Sequence, residues 1–441
     1  MKNSPVIVVG AGLAGSEAAY RLACSGVPVV LYEMRPGLSS PVHSTDYPAE
    51  LVCSNSFGSD DPGSAPGMLK AEMRILGSLV MEAADYARVP AGQALAVDRE
   101  KFSHYVLEKL SSLSNISIIR EEASRIPEDS IVIIATGPLT SEKMADSIQS
   151  LIGSSFLNFF DAVSPVVLAE SINRNIVFEA SRYGKGTPDY LNCPMSKEEF
   201  ASFYRELINA ELVNPHDFEE GRLFQGCMPV EEMAKMGEKT LLFGPLKPVG
   251  LSDDAAAVVQ LRKENVEGTM YSLVGFQTRL RWGEQKRVFR MIPGLEKAEF
   301  VRYGVMHKNI YINSPSVLSP TLQLKKHNNV FISGQLTGVE GYTESAAMGI
   351  VAGINAARLY YEKELVIFPP ETAVGSLIKY ITDPFNEKKF QPMNINFGIL
   401  PQAEILGKKK DKRAYVAARG IKKMLDFIKN GDRHQYFLHT H

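Results

Sequence analysis

Short apolar runs and helical patterns alternate along the first part of the chain. Residues 5–9 and 27–32 are mostly apolar, which is typical of buried parallel strands. The segment between them has helical composition and ends at Gly26, a residue suited to a helix C-cap. Apolar residues within 67–85 recur with helical spacing and predict one helix there. This order of elements predicts an α/β domain built on a parallel sheet.

The same pattern continues at 116–123 and 130–137, where two further strands are predicted. It resumes late in the chain, where a strand over 328–334 leads into a long helical pattern over 343–362. The early and late segments are therefore expected to build one sheet.

The middle of the chain has a different pattern of predicted strands and helices. Predicted strands at 164–170 and 240–244 alternate with helices, and one helix begins at Ser196, which forms a capping-box pattern with Glu199. We interpret 161–300 as an insertion into the first domain. The predicted organisation is a first domain made of 1–160 and 301–365, the insertion over 161–300, and a helical, basic segment over 366–441.

The composition is that of an ordinary globular protein. The 441 residues are 45% hydrophobic and 22% charged, which suits two or three domains. The first residues lack the pattern of a secretory signal, and no apolar run reaches the roughly 18 residues of a membrane span. We therefore expect a cytoplasmic protein with no membrane partner. The net charge of −2 neither favours nor excludes a nucleic-acid partner.

A glycine-rich turn follows the first strand. Gly10, Gly12 and Gly15 have the GxGxxG spacing, in which the glycines allow a tight turn, the approach of a pyrophosphate and close packing of the helix. The phosphate would lie at the helix N-terminus. Glu33 ends the second strand, at the distance along the chain expected of a ribose-binding carboxylate. The segment predicts a dinucleotide site.

Two later segments favour FAD over NAD as the dinucleotide. The strand that ends near Gly137 is similar to the middle strand motif of flavoproteins of the two-dinucleotide-binding type. The late strand runs into a turn containing Gly334, Gly338 and Gly341, where such proteins hold the ribityl phosphate and flavin ring. No second GxGxxG is present, so a separate nicotinamide domain is not expected.

The four cysteines lack the CxxC spacing of zinc ribbons and dithiol redox motifs, so we expect reduced thiols and no metal. Cys24 lies in a helical pattern and Cys193 precedes a proline, and packing explains both. Cys53 and Cys227 instead have polar and turn-forming neighbours.

Cys227 also stands just before Pro229, a residue suited to the first position of a helix. A helix N-terminus lowers the pKa of a nearby thiol. Cys53 and Cys227 are therefore candidate reactive thiols, and the alternative for each is a small buried thiol in a loop.

Basic residues concentrate in two stretches. Residues 277–308 carry eight Lys and Arg against three Glu, together with the only tryptophan, and residues 400–441 carry ten against four acids. Such local density suits contact with a phosphate backbone, although a solvated surface is the alternative, above all for the tail. The candidate RNA-binding residues are Arg279, Arg281, Lys286 and Arg287.

Together these segments resemble one bacterial family, the folate- and FAD-dependent tRNA (uracil-5-)-methyltransferases. The resemblance spans nearly the whole chain and differs from the usual pattern at Ser44, Gly58 and Arg279. It includes the strings GAGLAGSEAA, AELVCSNS, VPAGQALAVDRE, YLNCPM, GCMP, LVGFQTRLRWGEQKRVF and GVEGYTESAA.

The resemblance implies an FAD-binding Rossmann-like domain of the glutathione-reductase type with an inserted α/β domain. It implies 5-methylation of uridine 54 in the tRNA T-loop, with the T-arm as partner. Methylenetetrahydrofolate would supply the carbon, and NAD(P)H would supply reducing equivalents through FAD. Cys53 and Cys227 fall on the catalytic pair of the family.

Two thiols suit this chemistry. Uracil C5 is a poor nucleophile, but a thiolate that adds to C6 converts the ring into an enolate whose C5 attacks a one-carbon electrophile. A second group must then remove the C5 proton. The sequence leaves open which cysteine takes which role.

Several alternatives stay open at this point. Some relatives carry out the same chemistry on a 23S rRNA uridine. A flavin-dependent dithiol or small-molecule oxidoreductase is expected to have a CxxC motif or a nicotinamide domain. The larger tRNA-wobble modification flavoprotein is expected to have a long C-terminal helical extension. A non-catalytic, flavin-containing RNA-binding protein would hold Cys53 and Cys227 far from the flavin.

Overall fold

The computed structural model describes residues 4–40, 42–213, 222–223, 228–402 and 409–429. Its strands, in chain order, are β1 (Val6–Val9), β2 (Val29–Tyr32), β3 (Ser56–Ser59), β4 (Arg88–Val89), β5 (Ala94–Val97), β6 (Ile116–Ile119), β7 (Val132–Ile134), β8 (Leu157–Ala162), β9 (Val166–Leu168), β10 (Phe178–Ala180), β11 (Tyr190–Met195), β12 (Arg222–Leu223), β13 (Ala257–Lys263), β14 (Met270–Leu273), β15 (Phe300–Arg302), β16 (Met306–Tyr311), β17 (Gln323–Leu324) and β18 (His327–Ile332).

The α-helices of the same residues, in chain order, are α1 (Leu13–Cys24), α2 (Ala65–Ile75), α3 (Leu79–Tyr86), α4 (Arg99–Ser112), α5 (Glu142–Ile152), α6 (Lys197–Asn209), α7 (Val230–Lys235), α8 (Glu238–Phe243), α9 (Trp282–Phe289), α10 (Ser314–Val317), α11 (Tyr342–Tyr360), α12 (Ala373–Thr382) and α13 (Lys409–Lys429). The capping box predicted at Ser196 and Glu199 is present at the start of α6.

The early and late strands form one six-stranded sheet in the order β17-β18-β7-β1-β2-β6. All its strands run parallel except β17, which is antiparallel to β18. Val8 on β1 pairs with Leu31 on one side and Ile133 on the other, and all three residues are fully buried. A parallel sheet covered on both faces requires such continuous apolar strands. The predicted parallel sheet is confirmed.

Helices α1 and α11 pack very closely against each other. A Cβ atom added at Gly349 would lie 2.2 Å from the carbonyl oxygen of Ala14, and one added at Gly353 would lie 3.0 Å from that of Ala18. The helices therefore approach backbone to backbone. Because α1 follows β1 and α11 follows β18, both helices begin at the carboxyl edge of the parallel sheet.

A second six-stranded sheet has the order β10-β11-β13-β14-β9-β15 and is antiparallel throughout. It has its own hydrophobic core, which includes Phe203, Val259 and Phe289. All its strands lie within the segment predicted as an insertion, except that β15 ends two residues later, at Arg302. Strands β8 and β16 flank this sheet in the chain and pair antiparallel with each other. The exact domain boundaries remain a prediction.

The helix predicted over 67–85 is wrong as a single element, because the chain forms α2 and α3 there. Gly77, with φ of 68°, separates the two helices, and the side chain of Ser78 accepts the N–H of Met81 as the cap of α3. Both helices bury apolar residues in the same core, so the apolar spacing did not reveal the break.

The strand predicted at 240–244 is also wrong, because helix α8 covers residues 238–243. Leu241 is fully buried while Phe243 is 79% exposed, as expected of a one-sided helix. A short apolar run does not by itself distinguish a strand from a buried helical turn. Helix α7 begins at Val230, so Pro229 is its N-cap rather than its first helical residue.

Helices α12 and α13 lie within the C-terminal segment that was predicted to be helical. Helix α13 packs on α2 so closely that a Cβ atom at Gly420 would lie 1.9 Å from Cε of Met68. Within the ranges described, no helix is both long and apolar enough to cross a membrane.

Candidate active site

The GxGxxG turn is a tight connection from β1 to α1. Gly10 has φ of 97°, and a Cβ atom there would lie 2.7 Å from the carbonyl oxygen of Ala135. A Cβ atom on Gly15 would lie 1.7 Å from the carbonyl oxygen of Gly10. Gly12 differs, because no heavy atom of the described chain beyond its immediate neighbours lies within 4 Å of its Cβ position. Gly12 is the N-cap of α1, so the helix N-terminus faces open space there.

Glu33 lies directly after β2 and is almost fully buried beside this turn. One carboxylate oxygen accepts the Nε–H of Arg35 at 2.7 Å, and the other accepts the N–H of Ala11 at 3.2 Å. Burial alone would raise the pKa of Glu33, but the hydrogen bond and charge of Arg35 lower it below its ordinary value. The side chain is therefore an ionised acceptor at the edge of the turn.

A cleft opens at the carboxyl edge of the parallel sheet. Its lining brings together Gly10, Gly12 and Glu33 from the first segment, Gly137 from the middle segment and Gly334 from the late one. Of the described residues, Gly338 and Gly341 are not among those that line it. A Cβ atom at Gly338 would lie 2.5 Å from the ring of Phe390, and Gly341 is the N-cap of α11.

These features fit FAD. The open side of Gly12 and the N–H groups at the start of α1 suit a pyrophosphate. Glu33 suits a ribose, and the late turn at Gly334 lines the same cleft. The roles of the individual glycines and of Glu33 remain predictions.

Cys53 lies in a loop that borders the cleft. Its neighbour Val52 lines the cleft, as does Tyr342, the first residue of α11. The phenol oxygen of Tyr342 accepts the N–H groups of Cys53 at 2.7 Å and Ser54 at 3.1 Å. Burial, followed by the electrostatic effect of Cys53, raises the pKa of Tyr342. Tyr342 thus ties the cysteine loop to the late segment, a role that no sequence motif indicated.

Cys227 lies outside the described residues. The segment that follows it is well anchored. The N–H of Val230 donates to the carbonyl of Gln277 at 2.7 Å, and the buried carboxylate of Glu231 accepts the Thr278 hydroxyl at 2.8 Å and the Arg279 N–H at 2.9 Å. Burial raises the pKa of Glu231.

Residues 5–364 match the protein family described as Glucose inhibited division protein A. Methylenetetrahydrofolate--tRNA-(uracil-5-)-methyltransferase TrmFO of Natranaerobius thermophilus is 56% identical over 426 residues, which cover 96% of this chain and 98% of that protein. The TrmFO protein of Desulforudis audaxviator is 59% identical over 403 residues, which cover 90% and 91%. The chain belongs to the TrmFO family. The family resemblance read from the sequence motifs is confirmed.

The fold is also confirmed by comparison with a solved structure. Aquifex aeolicus GidA, in its form II crystal, superposes with a TM-score of 0.71 at 19% identity, covering 98% of this chain and 74% of that chain. At that identity the likeness concerns the fold alone. It supports the FAD-binding Rossmann-type α/β architecture for this TrmFO-family chain.

The basic residues predicted for RNA are mostly ion-paired. Arg281 pairs with Glu211 at 3.1 Å, and Arg287 pairs with Glu284 at 2.8 Å and with Glu206. The partners Glu206 and Glu211 lie outside residues 277–308 in sequence. The net positive charge on the surface is therefore smaller than the count along that stretch. Lys286 is exposed and makes no ion pair within the described part of the chain.

Arg279 has a different environment from the other three candidates. It is half-buried, and its guanidinium pairs with Glu232 on α7. It therefore holds the helix that follows Cys227.

The remaining cysteines are packing residues. Burial raises the pKa of both Cys24 and Cys193, and Cys193 is fully buried in β11. Among the residues that the structure describes, no group of three or more His, Cys, Asp or Glu side chains is placed to hold a metal ion.

Proposed function

We propose that this chain methylates C5 of uridine 54 in tRNA, with methylenetetrahydrofolate as the carbon donor and NAD(P)H as the source of reducing equivalents. Its curated relatives are named for methylenetetrahydrofolate and tRNA uracil-5-methylation. The observation that carries the proposal is the position of the Cys53 loop, which Val52 and Tyr342 fix against the cleft that fits FAD. With a tRNA substrate, the proposed place of action is the cytoplasm.

Cys53 and Cys227 are proposed to act as a pair. One thiolate adds to C6 of uracil, which places the negative charge on the ring and makes C5 nucleophilic. After C5 has bonded to the one-carbon unit, the other group takes the C5 proton. The carrier nitrogen then leaves the one-carbon unit with its electron pair, which gives an exocyclic methylene at C5. Once this methylene has been reduced, the first thiolate leaves C6 with its electron pair and the C5–C6 double bond re-forms. When bound, FAD supplies the reducing equivalents that complete the methyl group.

The RNA surface is proposed to include Arg281, Lys286 and Arg287, together with an aromatic stack. Trp282 is 61% exposed and lies nearly parallel to Tyr303, with ring centroids 5.4 Å apart. Tyr303 stacks in turn on Phe300 at 5.3 Å. Exposed aromatic rings beside cations bind unstacked RNA bases.

This aromatic stack is connected to the cysteine loop. Arg302, which directly precedes Tyr303, donates a hydrogen bond to the Cys53 carbonyl at 3.3 Å. The buried side chain of Gln285 on α9 bonds both the N–H and the carbonyl of Gly304, at 2.7 and 2.8 Å, and so fixes the helix bearing Trp282. A base bound at Trp282 would therefore lie near a rigid link to the cysteine.

The proposed function is tested with a T-arm stem-loop that carries 5-fluorouridine at position 54. Fluorine at C5 does not leave as a proton does, so the covalent protein–RNA adduct should accumulate. We expect an adduct with the wild type and with Cys193→Ala, and its loss in one of Cys53→Ala and Cys227→Ala, whichever removes the nucleophile.

The companion assay uses methylenetetrahydrofolate labelled in its one-carbon unit. The label should appear in 5-methyluridine of the uridine stem-loop, and both Cys53→Ala and Cys227→Ala should lose this product. A 23S rRNA fragment run in parallel tests the other RNA target. Full methylation by either alanine variant, or labelling of the rRNA fragment alone, would reject the proposal.

A further inference from the structure

The loop that carries Cys53 is held on its carbonyl side by two arginines. Nη2 of Arg302 lies 3.3 Å from the Cys53 carbonyl oxygen, and Nη2 of Arg99 lies 3.4 Å from the same atom. Nη1 of Arg99 also donates to the carbonyl of Leu51 at 2.6 Å. Two guanidinium groups therefore converge on the peptide of the reactive cysteine, while Tyr342 binds its N–H.

The two arginines differ in whether a carboxylate lies within ion-pair distance. Arg99 pairs with Glu264, whose carboxylate lies 2.8 Å from Nε and is only 5% exposed. Arg302 has no carboxylate within ion-pair distance in the described ranges, and its buried Nε has no hydrogen-bond partner there. Burial, followed by the charge of Arg99, lowers the pKa of Arg302 to about 10, so the side chain remains cationic at neutral pH.

The other charged and titratable neighbours do not cancel this charge. Arg262 is a third cation near Glu264, and its Nε donates to Asn55 at 2.8 Å. Tyr342 stays neutral, because burial raises its pKa. Glu264 is thus one carboxylate among three arginines that surround the cysteine loop.

The Arg302 guanidinium contacts the backbone of the residue that carries the thiol, and an ionised thiol there favours the cationic form of the arginine, as the smallest of the influences on its pKa. By reciprocity, the cation favours the thiolate. An opposite charge within about 4–6 Å commonly moves a pKa by one unit or more.

We propose that Arg302, with Arg99 in support, is a positioning residue that fixes the Cys53 peptide and supplies the positive charge that keeps the Cys53 thiol ionised. This inference rests on the proposed function only in taking Cys53 as a reacting thiol. Arg302 is the last residue of β15, so the second sheet would take part in the chemistry. Arg99 is the first residue of α4, outside that sheet. The thiolate is stabilised by long-range packing rather than by a local helix N-terminus.

The test measures alkylation of Cys53 by iodoacetamide against pH in the full-length protein, with mass spectrometry of the Cys53 peptide. Arg302→Gln should raise the midpoint pH by about one unit, which lowers the thiolate fraction about tenfold below the midpoint. Arg302→Lys should stay near the wild type. Arg290→Gln is the matched control, since Arg290 also holds a carbonyl, that of Ala298 at 2.8 Å, but not the cysteine loop.

Glu264→Gln gives a change of opposite sign. Removing the carboxylate of Glu264 should lower the pH midpoint of Cys53 alkylation. This variant therefore tests the effect of charge on the thiol even if Arg302→Gln does not fold. An unchanged midpoint in both folded variants, or a shift equal to that of Arg290→Gln, would overturn the inference.

Methylation separates this inference from the proposed function. The methylation rate of Arg302→Gln should recover as the pH rises through the new midpoint, because the thiolate returns while the fold is unchanged. Loss of activity at every pH together with an unshifted midpoint would instead indicate a purely structural role and reject the inference. Normal methylation by Cys53→Ala would reject the proposed catalytic role of Cys53, whereas the alkylation midpoints would still report whether Arg302 favours the thiolate.

Discussion

At the scale of single residues, the glycines of the first turn differ in what they permit. Gly10 and Gly15 are required by the chain itself, since a side chain at either position would collide with backbone. Gly12 has an ordinary negative φ and open space beside it, so the protein fold does not require glycine there. We expect the pyrophosphate of FAD to occupy the open space beside Gly12, which would give this glycine a binding role rather than a folding role.

Gly12→Asp should therefore abolish FAD binding without unfolding the protein. The carboxylate would occupy the space proposed for the pyrophosphate and would repel it. Gly12→Ala is the matched control, because it adds the Cβ atom without the charge and should retain more flavin. The measurement is the flavin absorbance per mole of purified protein, together with the thermal unfolding midpoint. Full flavin content in Gly12→Asp would show that the pyrophosphate lies elsewhere.

At the scale of elements, the contact between α1 and α11 decides the shape of the cleft. Each helix follows a strand of the parallel sheet, and the approach at Gly349 and Gly353 leaves no space for side chains between them. The start of α11 carries Tyr342, which holds the Cys53 loop, while the start of α1 faces the open side of Gly12. The spacing of these two helices therefore couples the flavin cleft to the cysteine loop.

Gly349→Ala should destabilise the protein, because its Cβ atom would lie 2.2 Å from the Ala14 carbonyl oxygen and must push the helices apart. A cost of about 1–3 kcal/mol in the free energy of unfolding is expected from such overpacking. Gly283→Ala on α9 is the matched control, since no described atom lies within 4 Å of its Cβ position. Because Gly283 is in the first turn of α9, this change should cost nothing and should raise stability by at most about 1 kcal/mol through helix propensity. Chemical denaturation of both variants checks the pair, and equal stabilities would contradict the packing argument.

At the scale of the whole molecule, the second sheet contributes both to the aromatic stack and to the surroundings of the Cys53 loop. Its last strand, β15, carries Phe300, the partly buried end of the aromatic stack, and Arg302, which contacts the Cys53 carbonyl. Two arginines of the basic stretch are ion-paired at the surface, Arg281 with Glu211 and Arg287 with Glu206 and Glu284. RNA affinity is therefore expected to rest more on Trp282 and less on charge than the sequence alone suggested.

Trp282→Ala should weaken binding of the T-arm stem-loop by roughly fivefold to more than a hundredfold, the usual effect of losing one base–aromatic stack of about 1–3 kcal/mol. The slope of log affinity against log salt should stay unchanged, because no charge is removed. Phe243→Ala is the control, being another highly exposed aromatic of the same segment. Titrations at several salt concentrations provide the measurement.

Lys286→Gln is the complementary change in that titration series. It should reduce the salt slope by about one while leaving the stack intact. An unaltered affinity in Trp282→Ala would remove the aromatic stack from the proposed RNA surface.

The sequence by itself determined the parallel sheet, the GxGxxG turn and the family. These features depend on short-range patterns: continuous apolar strands, glycines at fixed spacing and a carboxylate at a strand end. The prediction from sequence was wrong where one local pattern is compatible with two structures. Gly77 divides the helix predicted over 67–85 into two, and the apolar run at 240–244 forms a helix instead of a strand.

Only the tertiary structure decided the surroundings of Cys53. Tyr342, Arg99 and Arg302 come from three distant segments, and no spacing along the chain shows that they meet at one loop. The charge of the predicted RNA stretch was likewise decided by Glu206 and Glu211, which lie far from it in sequence. Charge balance and side-chain convergence depend on through-space distance, whereas sequence patterns report only neighbours along the chain.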